Sequence, residues 1–490
     1  MTLSSTQLRK PVYWWVIGYA ALWILVSYLF DPTVPYDAVE AVNWGTNGGW
    51  GSPKNPWFVG FIMTPAIYGG IDFSFYWYFI HFIVIAVGLL GVWNLAYKLT
   101  QNTNLAWFAM LALNLSGVIN FDIIPYNDNY ILVGCWAWAF YFFLCAINDN
   151  QKYWIGFAIT MGIATMGKYS SLAFIGSVFL SSLFVPKVRA SYCSPYFYLA
   201  LAIWFAFVIP NFIWLWQTDF AAFKWVDSQI ENRFNLRTTR AALTVFYPVI
   251  LMWGILRFYG GRVSWSASKD SQLLNFIFLF PLTIIFIWFS FHEGGRISEW
   301  LQPFMSIATA LFVGSISVMP KRSLRGALYG LGVFGMLVIS GYTVVQAANV
   351  RNAGQKFIGV KIFVQDVEQA WYQHYHTPLV YVGGEYMHEW VTFYGKDRPL
   401  SSQPWILEAN VQPPNIYNRH ITLQQLEEKG VVLISKVGYY CEKAHFTEGL
   451  KHWPSLKIAD TQEIMFRAEP DAIAEPVCIA FVAPKIHKEK

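Results

Sequence analysis

Residues 31–56, DPTVPYDAVEAVNWGTNGGWGSPKNP, set the carboxylates Asp31, Asp37 and Glu40 and the ammonium of Lys54 among four glycines and two tryptophans, between two apolar runs. A carboxylate can take the proton of an attacking hydroxyl as general base. Ammonium and guanidinium groups stabilise the negative charge that builds on a departing phosphate. Asp37 and Glu40 are three residues apart, so on one helical turn they share a face. Further charged residues fall between later apolar runs: Asp122, Asp128, Lys168 (followed by Tyr169), His292, Glu293, Arg296 and Glu299. Charges held near a bilayer are costly and tend to mark functional sites. Together these residues suit transfer of a group from a phosphate-linked donor. Each has a plainer reading alone: Glu40 as a helix-start acid facing the dipole, Lys54 as a cation snorkelling to water, and Asn127-Asp128-Asn129 as a helix N-cap.

The elements that must position these groups follow from composition. Of 490 residues 56% are hydrophobic and 13% charged, with 40 Phe, 28 Tyr and 24 Trp, and the mean hydropathy is +0.37. That is the composition of a polytopic membrane protein, because a soluble core would break such long apolar runs with charged faces. A net charge of +5, with no basic groove interleaved by aromatics, argues against nucleic acid as a partner. The five cysteines form no CxxC, and no DxD spacing occurs, so no metal site is assigned. Whether a divalent metal takes part stays open.

Apolar spans of about bilayer length fall at 12–30, 75–97, 104–120, 129–147, 153–167, 169–185, 196–216, 241–257, 271–291, 303–319 and 326–347. The break between the fifth and sixth rests on Gly167-Lys168-Tyr169-Ser170-Ser171. The first span follows Arg9 and Lys10 and lacks a small-residue cleavage site, so it reads as a retained helix. Cytoplasmic loops are enriched in Lys and Arg. With the N-terminus inside, the inner segments hold Arg9, Lys10, Lys98, Lys152, Lys187, Arg189, Lys321, Arg322 and Arg325 among others. The loops 31–74, 120–128, 217–240 and 292–302, Lys168, and everything after 348 then face outward. The 217–240 loop, with Lys224, Arg233, Arg237 and Arg240, is the exception.

The expected division is a membrane domain over 1–347 and an outer α/β domain over 348–490. In the latter, PLVYVGG (378–384), VVLISKVG (431–438) and CIAFVAP (478–484) predict buried strands, and LQQLEEKG (423–430) predicts a helix closed by a glycine cap. Cys441 and Cys478 lie in this domain, where an oxidising compartment would permit a disulfide.

Four segments carry a family resemblance. PYDAVEAVNWGTNGGWGSPKNPWFVGFI resembles the first outer loop of the GT-C membrane glycosyltransferases of the protein-mannosyltransferase type, which include bacterial enzymes that modify lipid A or the lipopolysaccharide core. NDNYILVGCWAWAFYFFL, GIATMGKYSSLAF and HEGGRISEWLQPF resemble later segments of the same family. The resemblance spans roughly residues 10 to 320. It implies an α-helical polytopic fold of about eleven transmembrane helices with an outer C-terminal domain. It also implies roles: Asp37 as general base or acceptor-orienting group, Asp128 as the second acid, and Lys54, Lys168, Tyr169, His292 and Arg296 around the donor phosphate. Glu40 joins the acids from the residue reading. Two departures stand out, since many relatives have Asp-Glu adjacent where this chain has Asp37-Ala38, and Lys-x-Pro-Pro where this chain has Lys54-Asn55-Pro56-Trp57. The implied donor is a sugar on a polyprenyl phosphate. The implied acceptor is a lipid or lipopolysaccharide hydroxyl, and the implied place is a bacterial inner membrane. The rival reading is a transporter or flippase, which the absence of a visible internal repeat disfavours.

Overall fold

The computed structural model describes residues 5–52, 54–120, 127–228, 230–294, 297–348, 357–385, 387–402, 421–446, 450 and 453–485. In chain order the main helices are α1 (Ser5–Phe30), α2 (Tyr36–Asn47), α3 (Phe73–Thr100), α4 (Thr103–Ala112), α5 (Asn127–Asn148), α6 (Tyr153–Gly167), α7 (Leu172–Phe184) and α8 (Pro195–Gln217). There follow α9 (Arg237–Phe258), α10 (Lys269–Phe291), α11 (Ile297–Gly314), α12 (Arg325–Ala347), α13 (Gly359–Tyr375), α14 (Met387–Tyr394) and α15 (Leu423–Lys429). Contacts divide the chain into two compact units. One comprises Met1–Phe30, Tyr78–Phe212 and Phe223–Val350, and the other Asp31–Trp77, Ile213–Ala222 and Arg351–Lys490.

In the first unit, helices stand at all eleven expected spans. Among the described residues, seven helices are long and apolar enough to cross a bilayer, in α1, α3, α5, α8, α9, α10 and α12. An eighth span is formed if the pair Tyr169–Phe184 and Pro186–Cys193, bent by 108°, counts as one. The remaining expected spans are shorter helices, and the 104–120 stretch shows why. Helix α4 stops at Ala112 and gives way to tight turns at Leu113–Leu115 and Gly117–Ile119. Backbone groups released inside an apolar environment need internal partners. Asn120 supplies them, donating from Nδ2 to the carbonyls of Asn114 (3.3 Å) and Ser116 (2.9 Å), while Asn114 Nδ2 donates to Leu331 O (3.1 Å). The expected break at Lys168 is present, with that residue extended (φ −158°) between α6 and α7. Helix α5 lies deepest, 83% of its apolar window being buried against 17% for α12, whose flanks remain apolar and suit lipid. Two short antiparallel ribbons complete the unit, β1 (Ile230–Asn232) with β3 (His292–Gly294) and β2 (Arg262–Val263) with β4 (Ile316–Val318).

The second unit holds a five-stranded mixed sheet of β5 (Tyr381–Gly384), β6 (Leu400–Ser401), β7 (Val431–Ile434), β8 (Asp460–Phe466) and β9 (Glu475–Val482), in the order β6-β5-β7-β9-β8. β5 runs parallel to β6 and β7, and β9 antiparallel to β7 and β8. The three predicted strands correspond to β5, β7 and β9. The predicted helix is α15, opened by a Thr422/Gln425 capping box and closed by Gly430 at φ 74°. Cys441 and Cys478 are disulfide-bonded, with Cα atoms 4.9 Å apart. Residues 31–77 pack within this unit, so the acid-bearing first loop shares a core with the C-terminal half.

The disulfide closes a 37-residue separation, a loop whose release on unfolding is worth about 3–4 kcal/mol in the chain-entropy picture. Cys441→Ser is therefore expected to lower the thermal midpoint of the intact protein, and reductant should do the same to the parent only. An unchanged midpoint in calorimetry would show that the bond adds nothing to stability.

Candidate active site

Helix α2 places the acids. It starts after Pro35, whose fixed φ favours entry to a helix, and ends where Gly48 turns left-handed (φ 61°) and returns its N–H to Trp44 O at 3.1 Å. Asp37 and Glu40 do share a face, because both meet the Lys54 ammonium. Nζ lies 2.8 Å from Glu40 Oε2 and 3.4 Å from Asp37 Oδ1. Lys54 is carried on a tight hairpin. Ser52 N donates to Asn55 O, Ser52 Oγ donates to the same carbonyl, and Asn55 N donates back to Ser52 Oγ, all at 2.8 Å. The hairpin returns into the short helix Phe58–Phe61, which lies backbone to backbone on α2. A Cβ on Gly45 would stand 2.6 Å from Gly60 O, and one on Gly60 2.8 Å from Gly45 N, so neither position has room for a side chain.

The two acids differ in exposure. Glu40 is 1% exposed and Asp37 22%. Removal from water disfavours the charged carboxylate. Burial pushes Glu40 up to about 7 against the pull of Lys54, and the neighbouring charge of Asp37 adds to the rise. Glu40 Oε1 has no hydrogen-bond partner among the described residues. Near neutral pH the buried acid thus holds its proton part of the time, and the ammonium is then balanced mainly by the more accessible Asp37.

Three residues outside the sequence-derived set complete this cluster. Tyr36 Oη donates to Glu389 Oε2 at 3.0 Å, and Asn43 Nδ2 donates to Val39 O (3.0 Å) and Glu389 O (3.4 Å). Glu389 comes from α14, is 3% exposed, and is pushed up to about 8 by burial and then by the charge of Glu40. Its signal in the sequence is an acid within the largely apolar and aromatic MHEWVTFY.

The other sequence-derived residues lie in the first unit. Lys168 Nζ donates to Asn129 Oδ1 at 3.1 Å and stands 5.2 Å from the centre of the Trp300 ring. Asn129 Nδ2 in turn donates to Gln302 Oε1 (3.1 Å) and Glu299 O (3.0 Å), so the break after α6, the start of α5 and the first turns of α11 meet at one polar knot. Tyr169 Oη donates to Asn211 Oδ1 at 3.0 Å, and its ring stacks on Phe223. His292 turns onto its own helix end, with Nδ1 2.7 Å from Trp288 O and its ring stacked on Trp288. Asp122 and Arg296 lie outside the described residues, as do the side chains of Asp128 and Glu293. Among the described residues no three His, Cys, Asp or Glu side chains group as a metal site.

Solved structures share this fold nearly from end to end, and the chain is a multi-pass membrane protein with their GT-C fold. Residues 52–214 match the family described as dolichyl-phosphate-mannose-protein mannosyltransferase. Among solved structures the chain is similar to ArnT from Cupriavidus metallidurans in the apo state, with a TM-score of 0.59 and 13% identity, covering 95% of this chain and 97% of that one. It is equally similar to ArnT from Cupriavidus metallidurans bound to undecaprenyl phosphate, with a TM-score of 0.59, 14% identity, and 95% and 98% of the two chains covered. A further match is the arabinofuranosyltransferase AftD from Mycobacteria, with a TM-score of 0.52 and 11% identity, covering 99% of this chain and 40% of that one. A search of curated proteins by sequence finds no match.

Glu40 has a folded pKa raised from 4.5 to about 7. The folded state keeps a proton that the unfolded chain has released, so this group's contribution to stability declines as pH rises through that window. Glu40→Gln is expected to make the fall of melting temperature between pH about 4.5 and about 7 shallower. A slope identical to the parent in scanning fluorimetry would exclude a buried, proton-holding Glu40.

Proposed function

We propose that this protein transfers a sugar from a polyprenyl-phosphate donor to the hydroxyl of a lipid or lipopolysaccharide acceptor, on the outer face of a bacterial inner membrane. The observation that carries the reading is the Lys54 ammonium held between a partly exposed Asp37 and a buried Glu40. Undecaprenyl phosphate bound to the structurally similar ArnT supports a lipid-phosphate donor here.

In this reading Asp37, the more exposed acid, accepts the proton of the acceptor hydroxyl as its oxygen attacks the anomeric carbon. The bond from that carbon to the phosphate oxygen breaks, its electron pair leaves with the polyprenyl phosphate, and configuration at the anomeric carbon inverts. Lys54 stabilises the leaving phosphate. A phosphate beside two ionised carboxylates would be repelled. With Glu40 protonated, one of those charges is removed, and Asp37 is neutralised as it takes up the acceptor proton. Lys168, Tyr169, His292 and Arg296 belong to the donor side and Asp128 to the acid side of the same proposal. Residues 1–347 would form the membrane catalytic domain, with its 31–77 segment packed in one unit with the C-terminal residues, and 348–490 the periplasmic α/β domain, with the N-terminus cytoplasmic.

The test uses protein reconstituted in vesicles with a radiolabelled polyprenyl-phosphate sugar and a lipid acceptor. Asp37→Asn is expected to lower turnover by about 10²–10⁴-fold without loss of folded protein. Normal turnover in that variant removes Asp37 from the chemistry. Lys54→Ala is expected to reduce transfer by about 10²–10³-fold, and unchanged donor dependence would assign its charge to the interface alone. Label that crosses the bilayer with its sugar–phosphate bond intact would favour the transporter reading instead.

A further inference from the structure

The C-terminal half supplies a buried acid beside α2 that the transfer scheme above does not use. Glu389 reaches α2 at two points, its carboxylate accepting from Tyr36 Oη at 3.0 Å and its backbone carbonyl accepting from Asn43 Nδ2 at 3.4 Å. Tyr36, Glu40 and Asn43 are spaced i, i+4, i+7, one face of a helix, and Glu40 therefore sits between the two anchors. The Tyr36 ring also packs on Trp390, with centroids 5.9 Å apart. Helix α14 is fixed in its turn, since Tyr394 Oη accepts from Val34 N at 2.9 Å, one residue before Pro35 and the start of α2.

We propose that Glu389 is a positioning residue of the transfer site, clamping the Tyr36–Glu40–Asn43 face of α2 and forming with Glu40 a buried carboxyl pair that shares one ammonium, Lys54. This rests on the transferase reading. Its chemical content is a charge count: Asp37, Glu40 and Glu389 against Lys54 would leave two uncompensated negative charges if all three acids were ionised. Like charges in a low-dielectric site hold a proton between them. The pair carries that proton, which cuts the uncompensated negative charge around Lys54 from two to one and so eases the approach of a phosphate.

Other titratable groups on elements packed against α14 are engaged elsewhere. His388 binds Ser401 Oγ through Nε2 and Glu385 O through Nδ1. On α13, Lys361 lies over the Tyr394 ring, and Glu368 accepts from the backbone N–H of Asp397. On the sheet, Tyr381 is the titratable side chain of β5, and β7 (VVLI) has none.

The test compares Glu389→Gln, Glu389→Ala and Tyr36→Phe in the full-length reconstituted protein, with transfer measured against pH. In the parent, transfer is expected to decline above pH about 8, as Glu389 ionises. Glu389→Gln keeps an acceptor for Tyr36 but cannot ionise, so it should lower kcat only a few-fold and carry activity past that limb. Glu389→Ala should lower kcat by about tenfold or more with KM for the donor little changed, and Tyr36→Phe should reproduce part of that loss. If Glu389→Gln and Glu389→Ala depress transfer equally at every pH, or the Gln profile superimposes on the parent, the proposal fails while the transferase reading stands. Infrared titration gives a readout free of catalysis. A protonated-carboxyl band that disappears near pH about 8, is missing in Glu389→Gln, and titrates lower in Glu40→Gln supports the pair. A band unaffected by Glu389→Gln overturns it, and a parent that shows the band but transfers no sugar overturns only the reading beneath.

Discussion

A single ammonium amid more carboxylates than it can neutralise is the constraint on which the rest of this site depends. Lys54 meets Glu40 and Asp37, and Glu389 lies close enough to feel the charge of Glu40. In water three acids and one lysine would all ionise without consequence. Packed beneath α2 and α14 they cannot, because each further charge taken from water costs more than one cation returns. The local structure adjusts to that deficit. Glu40 and Glu389 are buried and move up toward neutrality, while Asp37 keeps its access to solvent. Differences in burial between neighbouring acids are a common way to divide roles among identical groups.

The second unit gives that arrangement its rigidity. Three elements hold α2: the Lys54 hairpin and the helix at Phe58–Phe61, which follow it closely in sequence, and α14, which comes from the far end of the chain. A long loop beside a membrane would ordinarily be mobile, yet most of α2 is buried, including Ala38, Val39, Ala41 and Val42 with no exposed surface. The mixed sheet behind α14, tied by the Cys441–Cys478 bond, makes the C-terminal half part of the support for the first loop. The first unit has its own polar knot, in which Lys168, Asn129 and Gln302 join the breaks and starts of three helices.

The fold was largely legible because long apolar runs interrupted by charge have few physical solutions, and those in this chain form helices where expected. The spans that turned out short are informative. The 104–120 run contains Asn120, whose side chain caps carbonyls at the helix end, and Asn114, whose side chain binds a carbonyl of α12, uses that hydropathy alone does not register. Of the site, the Asp37–Glu40–Lys54 group could be read from spacing, since a helical turn with two acids and a nearby lysine has a simple geometry. Glu389 could not. Its significance arises from a pairing more than 340 residues apart in sequence, and within its own segment it is one acid among apolar neighbours. His292 stacks on Trp288, a local partner four residues back, a contact that its position in the sequence did not announce.

The mutual contact of Gly45 and Gly60 has a mechanical consequence. It pins the base of the intervening segment like the neck of a purse, and Lys54 rides near the closed end. Because two main chains touch there, the aperture cannot widen by side-chain motion alone, and any residue added within the segment must bulge outward or lift the lysine from its acids. Length variation in homologous chains should therefore concentrate outside 45–60, leaving this interval a fixed ruler between helix and cation.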